Sequence, residues 1–233
     1  MLILGLIEAA LELVPVEIIN DPAVVSTAKS RGKPPDQILL DEALHSKALQ
    51  QLPDNEKRGR PDIIHRSLLT ALDSILAREN LLEIFVHTYT GEIIEVQSDT
   101  RLPRRTTRFI GLMEQLLVNK RVPISGTPLL QIHPEPLQTY LKHLNPSKIF
   151  LLSTDGTPTP PTELAQILLA ESKPVVLIGG FAHGEPSPTL RKIAHHHVSI
   201  DPEPLPTSTV VGMIIHSIEG VLDLTSRRFQ QQK

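Results

Sequence analysis

Short apolar runs closed by glycine or proline alternate along this chain with stretches whose apolar residues recur every three or four positions. Leu2–Ile7 reads as a buried strand, followed by a short helical stretch and a second apolar patch at Val14–Ile19. Ser26–Asp36 is polar, holds Gly32 and Pro34–Pro35, and reads as a mobile loop. Asp41–Leu52 has helical spacing at Leu44, Ala48 and Leu52. Ile64–Leu76 places Ile64, Leu68, Leu72 and Ile75 on one helix face. Leu81–His87 and Glu92–Val96 are β-rich runs around Thr88–Gly91, the pattern of a hairpin. Pro103 opens a helical stretch with the apolar stripe Phe109, Leu112, Met113, Leu116 and Leu117.

In the second half, Leu129–His133, Ile149–Ser153, Val175–Ile178 and His197–Ile200 read as strands, and Pro161–Ala170 suits a crossover helix with Pro161 in its first turn. A last helix runs from about Thr207 to Leu222, capped by Thr207 or Ser208. Its apolar residues Val210, Val211, Ile214, Ile215 and Ile218 suit either a dimer surface or ordinary core packing, and Gln230–Lys233 reads as a frayed tail. Strands alternating with helices predict an α/β fold with a parallel sheet. A parallel crossover takes about a dozen residues, usually helical, yet Glu185–His196 contains Pro186 and Pro188 and can hold little helix. That link must be tight or partly threaded.

Composition narrows the function. The chain has 233 residues and 40% apolar content, enough for a sizeable core. A formal net charge of −3 means that a nucleic-acid partner would have to meet a local basic patch. The absence of cysteine excludes disulfides, thiolate metal sites and cysteine nucleophiles. No apolar run approaches a membrane span, and Met1–Ala10 lacks a basic start and is broken by Glu8. A cytoplasmic address is expected. Aromatic residues at 3%, without tryptophan, argue against RNA recognition by a row of stacking rings.

Three segments carry candidate chemistry. The strand Val175–Ile178 ends in Gly179–Gly180–Phe181–Ala182–His183–Gly184, where the lack of side chains lets backbone approach a ligand at a sheet's carboxyl edge. The spacing is neither a Rossmann nor a Walker motif. Arg101, Arg104, Arg105 and Arg108 crowd into eight residues, with no acidic residue from Thr100 to Met113. If the helix begins near Pro103, Arg104 and Arg108 lie one turn apart on the same side, a phosphate-gripping ridge or a solvated basic face. In Arg60–Pro61–Asp62, residues two apart on extended backbone project to one side, permitting a local ion pair. Arg60 would lower the pKa of Asp62, suiting Asp62 to orienting Arg60 rather than abstracting protons. His195–His196–His197 resembles a metal tract, but consecutive strand residues point alternately, so solvated or packed histidines are expected. His183 suits a ligand contact or a structural hydrogen bond.

In this order, Gly59–Leu69, the Arg101–Met113 segment, the Gly179–Gly184 loop and Ser199–Leu205 resemble the Emg/Nep family of small-subunit rRNA pseudouridine-N1-methyltransferases in its archaeal form. The resemblance covers nearly the whole chain and implies a SPOUT-type parallel sheet flanked by helices, with a deep trefoil knot at about 150–222. It implies one methyltransferase domain over 1–233, with a small α/β insert whose hairpin lies at about 80–105. It further implies S-adenosylmethionine as methyl donor without a metal, N1-methylation of a pseudouridine in small-subunit (16S) rRNA, a homodimer, and ribosome assembly proteins as further partners. Carried over residue by residue, the cofactor site is Leu152, Gly179, Gly184, Ile200, Asp201, Pro202, Glu203, Pro204 and Leu205. Arg60 and Asp62 stand at the substrate base as catalytic residues, and Arg60, Arg101, Arg104 and Arg108 contact the rRNA. An RNA-binding assembly factor, with methylation incidental, would use the same ridge. A nucleotide-binding enzyme of small metabolites would hardly need it.

Overall fold

A computed structural model describes residues 1–230. Eight strands, β1 (Leu2–Ala9), β2 (Leu82–Thr88), β3 (Ile93–Val96), β4 (Arg121–Val122), β5 (Leu130–His133), β6 (Lys148–Pro158), β7 (Pro174–Gly179) and β8 (His196–Ser199), form one sheet. Its order is β4-β5-β3-β2-β1-β7-β6-β8. β1 pairs in parallel with β2 and β7, and β6 in parallel with β7 and β8. β3, β5 and β4 continue the sheet antiparallel beyond β2. The parallel centre is buried on both faces, which is why β1 and β7 read as unbroken apolar runs without alternation. Residues 80–105 give the expected hairpin, and both of its strands join this sheet, with β2 in register with β1 from Leu2↔Leu82 to Leu6↔Val86.

The helices are α1 (Pro22–Arg31), α2 (Glu42–Leu49), α3 (Pro61–Leu72), α4 (Ile75–Arg78), α5 (Thr106–Asn119), α6 (Leu137–Leu144), α7 (Pro161–Ala170), α8 (Pro188–Ile193), α9 (Thr207–Val221) and α10 (Leu224–Gln230). Successive β1 side chains point to opposite faces. Leu2, Leu4 and Leu6 pack with α3, α5, α7 and α9, while Ile3 and Ile7 pack with α6 and α8. A third buried group joins Val14, Ile18, Val24, Ala28, Leu40 and Leu49 beneath α1 and α2. Val211, Ile214, Ile215 and Ile218 of α9 are buried within the chain, against α3 and α7, each contributing about 1.5–3 kcal/mol. That apolar face is core, so these four side chains are not free to form a dimer surface. Among the described residues no single helix is long and apolar enough to cross a membrane.

Local chemistry corrects several sequence expectations. Ser26–Arg31 is helical, the end of α1, not loop. The Asp21 carboxylate accepts the Ala23 N–H at 2.9 Å, Pro22 occupies the first turn, and Gly32 closes the helix at φ 62°. These end signals outweigh its polar composition. In α2 the buried face is His45, Ala48 and Leu49, and Leu44 is exposed, because the helix kinks at His45 (φ −121°, ψ 24°). Ile64–Leu76 splits into α3 and α4 where the Ser74 hydroxyl caps the Ala77 N–H at 3.1 Å. The helix expected from Pro103 starts at Thr106. Pro206, not Thr207 or Ser208, occupies the N-cap of α9. The Glu185–His196 link does hold a helix, α8, opened by Ser187 and Pro188. Gln230 ends α10, and the rest of the expected tail lies outside the described residues.

Candidate functional site

Strands β6, β7 and β8 run parallel, so their carboxyl ends share one edge, and a cavity of about 330 Å³ opens there. Leu152, Ile178, Ile200, Leu205 and Val210 give it apolar walls. Of the nine sequence candidates, Leu152, Gly179, Gly184, Ile200, Asp201, Glu203, Pro204 and Leu205 line it, as does His183. Pro202 does not. The Asp201 turn is held by its own side chain, which accepts the Glu203 N–H at 2.9 Å, and by Ser199, whose hydroxyl donates to the Asp201 carbonyl at 2.7 Å. Thr207 donates to the Gly179 carbonyl at 2.8 Å and so ties α9 to the end of β7. Gly184 adopts φ 95°, a conformation open chiefly to glycine. Among the described residues the amides of Phe181 to Glu185 meet no backbone carbonyl, leaving donors for a ligand. Apolar walls with a few backbone donors suit a flat, polar-edged heterocycle.

Arg60 sits at the N-cap of α3 and Asp62 in its first turn, so the expected pair forms, though at a helix start and not on extended backbone. Arg60 Nε donates to Asp62 Oδ1 at 2.8 Å and Nη2 to Oδ2 at 3.1 Å, a bidentate fork. Arg66, one turn on, also binds Asp62. Burial pushes the Asp62 carboxyl up, but the hydrogen bonds and charges of Arg60 and Arg66 outweigh it and hold the group below its ordinary value. Arg60 is raised, chiefly by its hydrogen bond to Asp62. The pair therefore stays ionised at neutral pH. Its backbone is joined in two steps to Gly180, between the cavity-lining Gly179 and Phe181. The Arg60 N–H donates to the Ala10 carbonyl at 3.2 Å, and the Ala10 N–H donates to the Gly180 carbonyl at 2.8 Å.

The arginine ridge, in α5 and the segment before it, packs against the same helix. His65 of α3 is buried, stacks on Phe109 of α5 at 4.3 Å, and its Nε2 donates to the Pro103 carbonyl at 2.7 Å. Because α5 begins only after Arg105, Arg104 is not a turn below Arg108. Arg104 precedes the helix and forks onto Asp73 at the end of α3. All four arginines are exposed, and among the described residues Arg101, Arg105 and Arg108 form no ion pair. Thus α3 carries Arg60 at one end and meets the ridge at the other.

The histidine tract packs as a structural element. His195 Nδ1 accepts the Ile149 N–H at 2.9 Å, His196 stacks on Phe150 at 5.0 Å, and His197 bonds the Arg191 carbonyl at 2.9 Å. Among the described residues no group of three or more His, Asp or Glu is placed to hold a metal ion.

Sequence reading missed the charged pairs behind Arg60. Glu12, 2% exposed, takes a bidentate bond from Arg58, 6% exposed, at 2.8 and 2.7 Å. Glu8 pairs with Lys57 at 3.0 Å. The signal was a carboxylate set within apolar sequence, between Leu11 and Leu13, which folding can bury only with a cation.

Comparison with known proteins follows the same lines. The family described as EMG1/NEP1 methyltransferase matches residues 4–219. The chain is 43% identical over 224 residues to the ribosomal RNA small subunit methyltransferase Nep1 of Thermococcus kodakarensis, covering 96% of this chain and all (100%) of that one. It is 43% identical over 220 residues to Nep1 of Staphylothermus marinus, covering 94% and 95%. The crystal structure of Archaeoglobus fulgidus Nep1 bound to S-adenosylhomocysteine superposes with a TM-score of 0.84 at 36% identity, over 94% of this chain and 98% of that one.

Proposed function

The chain belongs to the EMG1/NEP1 methyltransferase family, and on that premise we propose that it methylates N1 of a pseudouridine in small-subunit ribosomal RNA. Methylation of that RNA from S-adenosylmethionine is the activity its relatives support, and a structural neighbour binds the demethylated product. The observation that carries the reading is the two-step hydrogen-bonded link from Gly180, which lies between the cavity-lining Gly179 and Phe181, through Ala10 to Arg60. It sets the Arg60–Asp62 fork beside a cavity whose apolar walls and unpaired amides suit the donor's adenosine. Leu152, Gly179, Gly184, Ile200, Asp201, Glu203, Pro204 and Leu205 are the proposed donor contacts, with Pro202 shaping the turn between them.

When bound, the donor supplies an electrophilic methyl group on a sulfonium that leaves as a neutral thioether. The chain must align the accepting nitrogen and manage its proton, and alignment alone is worth about 7 kcal/mol or more in favourable cases. Arg60, fixed by Asp62, donates to a pyrimidine carbonyl and stabilises the anion formed as the N1 proton passes to solvent water. Arg101, Arg104 and Arg108 hold the RNA backbone, aided by the uncapped start of α5.

We read 1–233 as one methyltransferase domain, with a small α/β insert that includes the β2–β3 hairpin at about 80–105 as the family's addition. We further read 150–222 as a trefoil knot. In support, β8 follows β7 but pairs with β6, and a Cβ on Gly156 would lie 2.5 Å from the Val198 backbone where the register of that pairing shifts. A homodimer in the cytoplasm, meeting other ribosome assembly proteins, completes the proposal.

Incubation with methyl-labelled donor and small-subunit RNA, followed by mass mapping of nucleosides, tests it. N1-methylpseudouridine is expected. Label on any other nucleoside overturns the base assignment, and an absence of calorimetric heat with S-adenosylhomocysteine overturns the cavity assignment. The ridge has its own test, binding measured across salt concentrations. Arg101→Ala and Arg108→Ala should each weaken RNA binding and reduce the salt slope by about one unit. Arg104→Ala should lose less, because Asp73 already neutralises that guanidinium, and Asp73→Asn should tighten binding.

A further inference from the structure

Three stretches distant in sequence are bundled behind the cavity: Ile7–Glu12, Lys57–Arg60 and the glycine loop from Gly180 to Ser187. Lys57 is the hub. Its ammonium pairs with Glu8 at 3.0 Å, donates to the Glu185 carbonyl, and lies 4.7 Å from the centre of the Phe181 ring. Its stem lies 3.1 Å from where a Cβ on Gly184 would stand. Phe181, Gly184 and Glu185 all line the cavity. Glu8 reaches the same loop, accepting the Ser187 N–H at 3.3 Å. It does so from a left-handed backbone conformation, φ 47°, where the pairing of β1 with β2 shifts register. A non-glycine residue held there signals a constrained role. Lys57 and Glu8 are only 15% and 14% exposed, so their pair is mostly shielded from water, unlike an ordinary surface ion pair.

From Lys57 the chain reaches Arg60 in three residues, and this segment has little freedom. Arg58 is forked onto Glu12, and the Arg60 amide is held by Ala10. We propose that Lys57, held by Glu8, is a positioning residue that clasps the glycine loop around the donor cavity and couples occupancy of that cavity to the Arg60 segment, so that donor and RNA binding strengthen one another. The proposal rests on the reading of the cavity as the donor site. Linkage of this kind is reciprocal and commonly spans about 5- to 150-fold.

The experiment measures S-adenosylhomocysteine affinity by calorimetry, and affinity for a small-subunit rRNA fragment with and without that ligand. Wild type should bind the RNA about tenfold more tightly when the ligand is saturating. Lys57→Met should bind the ligand about tenfold more weakly and lose the linkage, with RNA affinity changing less than twofold on ligand addition. Lys57→Arg, which keeps charge and donors, should retain most of both. If Lys57→Met loses its cooperative melt, Glu8→Gln is read in its place against the same results. Unchanged ligand affinity and linkage in the variant, or no linkage in wild type, overturns the proposal alone. A wild-type protein that fails to bind the ligand overturns the donor-site reading and the proposal together.

Discussion

Arg60→Ala is expected to cut methyl transfer about a hundredfold or more while leaving S-adenosylhomocysteine affinity within about twofold of wild type. A single preorganised donor aimed at developing negative charge is typically worth about 10²–10³ in rate. Arg60 is placed for that role, since the two hydrogen bonds it donates to Asp62 fix its guanidinium plane and its backbone is anchored to Ala10. Retained ligand binding separates this outcome from a collapsed cavity. The companion variant Asp62→Asn discriminates the roles within the pair. Two arginines hold the Asp62 carboxyl below its ordinary range, so it is a poor proton acceptor at neutral pH. Asp62→Asn should therefore slow turnover only about tenfold, and the wild-type rate should show no ionisation of Asp62 near neutrality. A loss of about a thousandfold would instead make Asp62 the base. Single-turnover assays over pH 5–9 read both.

The largest loss of stability is expected at Arg58. Arg58→Ala removes the partner of a carboxylate that is 2% exposed, together with a stacking contact to the Tyr89 ring at 4.7 Å. Removing one member of a buried ion pair costs about 3–5 kcal/mol, because the remaining charge stays desolvated. The double variant Glu12→Leu with Arg58→Met should recover most of that, since no unpaired charge is left. Urea unfolding of the wild type, Arg58→Ala and the double variant gives the three free energies needed. Equal losses in Arg58→Ala and the double variant would show that packing, not the unpaired charge, dominates.

Much of this architecture was legible because its signals are local. Unbroken apolar runs marked β1 and β7, a turn-flanked pair of β-rich runs marked the β2–β3 hairpin, and Pro161 marked the start of α7 to the residue. The glycine loop and the Asp201 turn were legible through their motifs, and eight of the nine carried-over positions line one cavity. Where the reading failed, the deciding interaction lay elsewhere in the chain. Thr207 looks like a helix cap, but its hydroxyl is drawn to the Gly179 carbonyl 28 residues away in sequence. Arg104 looks free within a segment devoid of acids, yet Asp73 comes to it from α3. Lys57 lies in a charged stretch whose residue types name no partner, and only the return of the chain to Glu8 and Glu185 shields it. Polar residues choose partners by three-dimensional proximity, which periodicity does not encode.

The position of β1 has a consequence for how the chain is made. β1 leaves the ribosome before every other strand of this sheet, yet it lies inside the parallel part, between neighbours that end at Thr88 and Gly179. Its hydrogen bonding is not complete until the chain has been synthesised as far as Gly179, so an apolar segment waits half-paired while the residues between are made. Such long-range closure slows acquisition of the native state and exposes sticky edges to aggregation. Chains released short of Gly179 should therefore be far more dependent on chaperones than those carrying the full β7 strand.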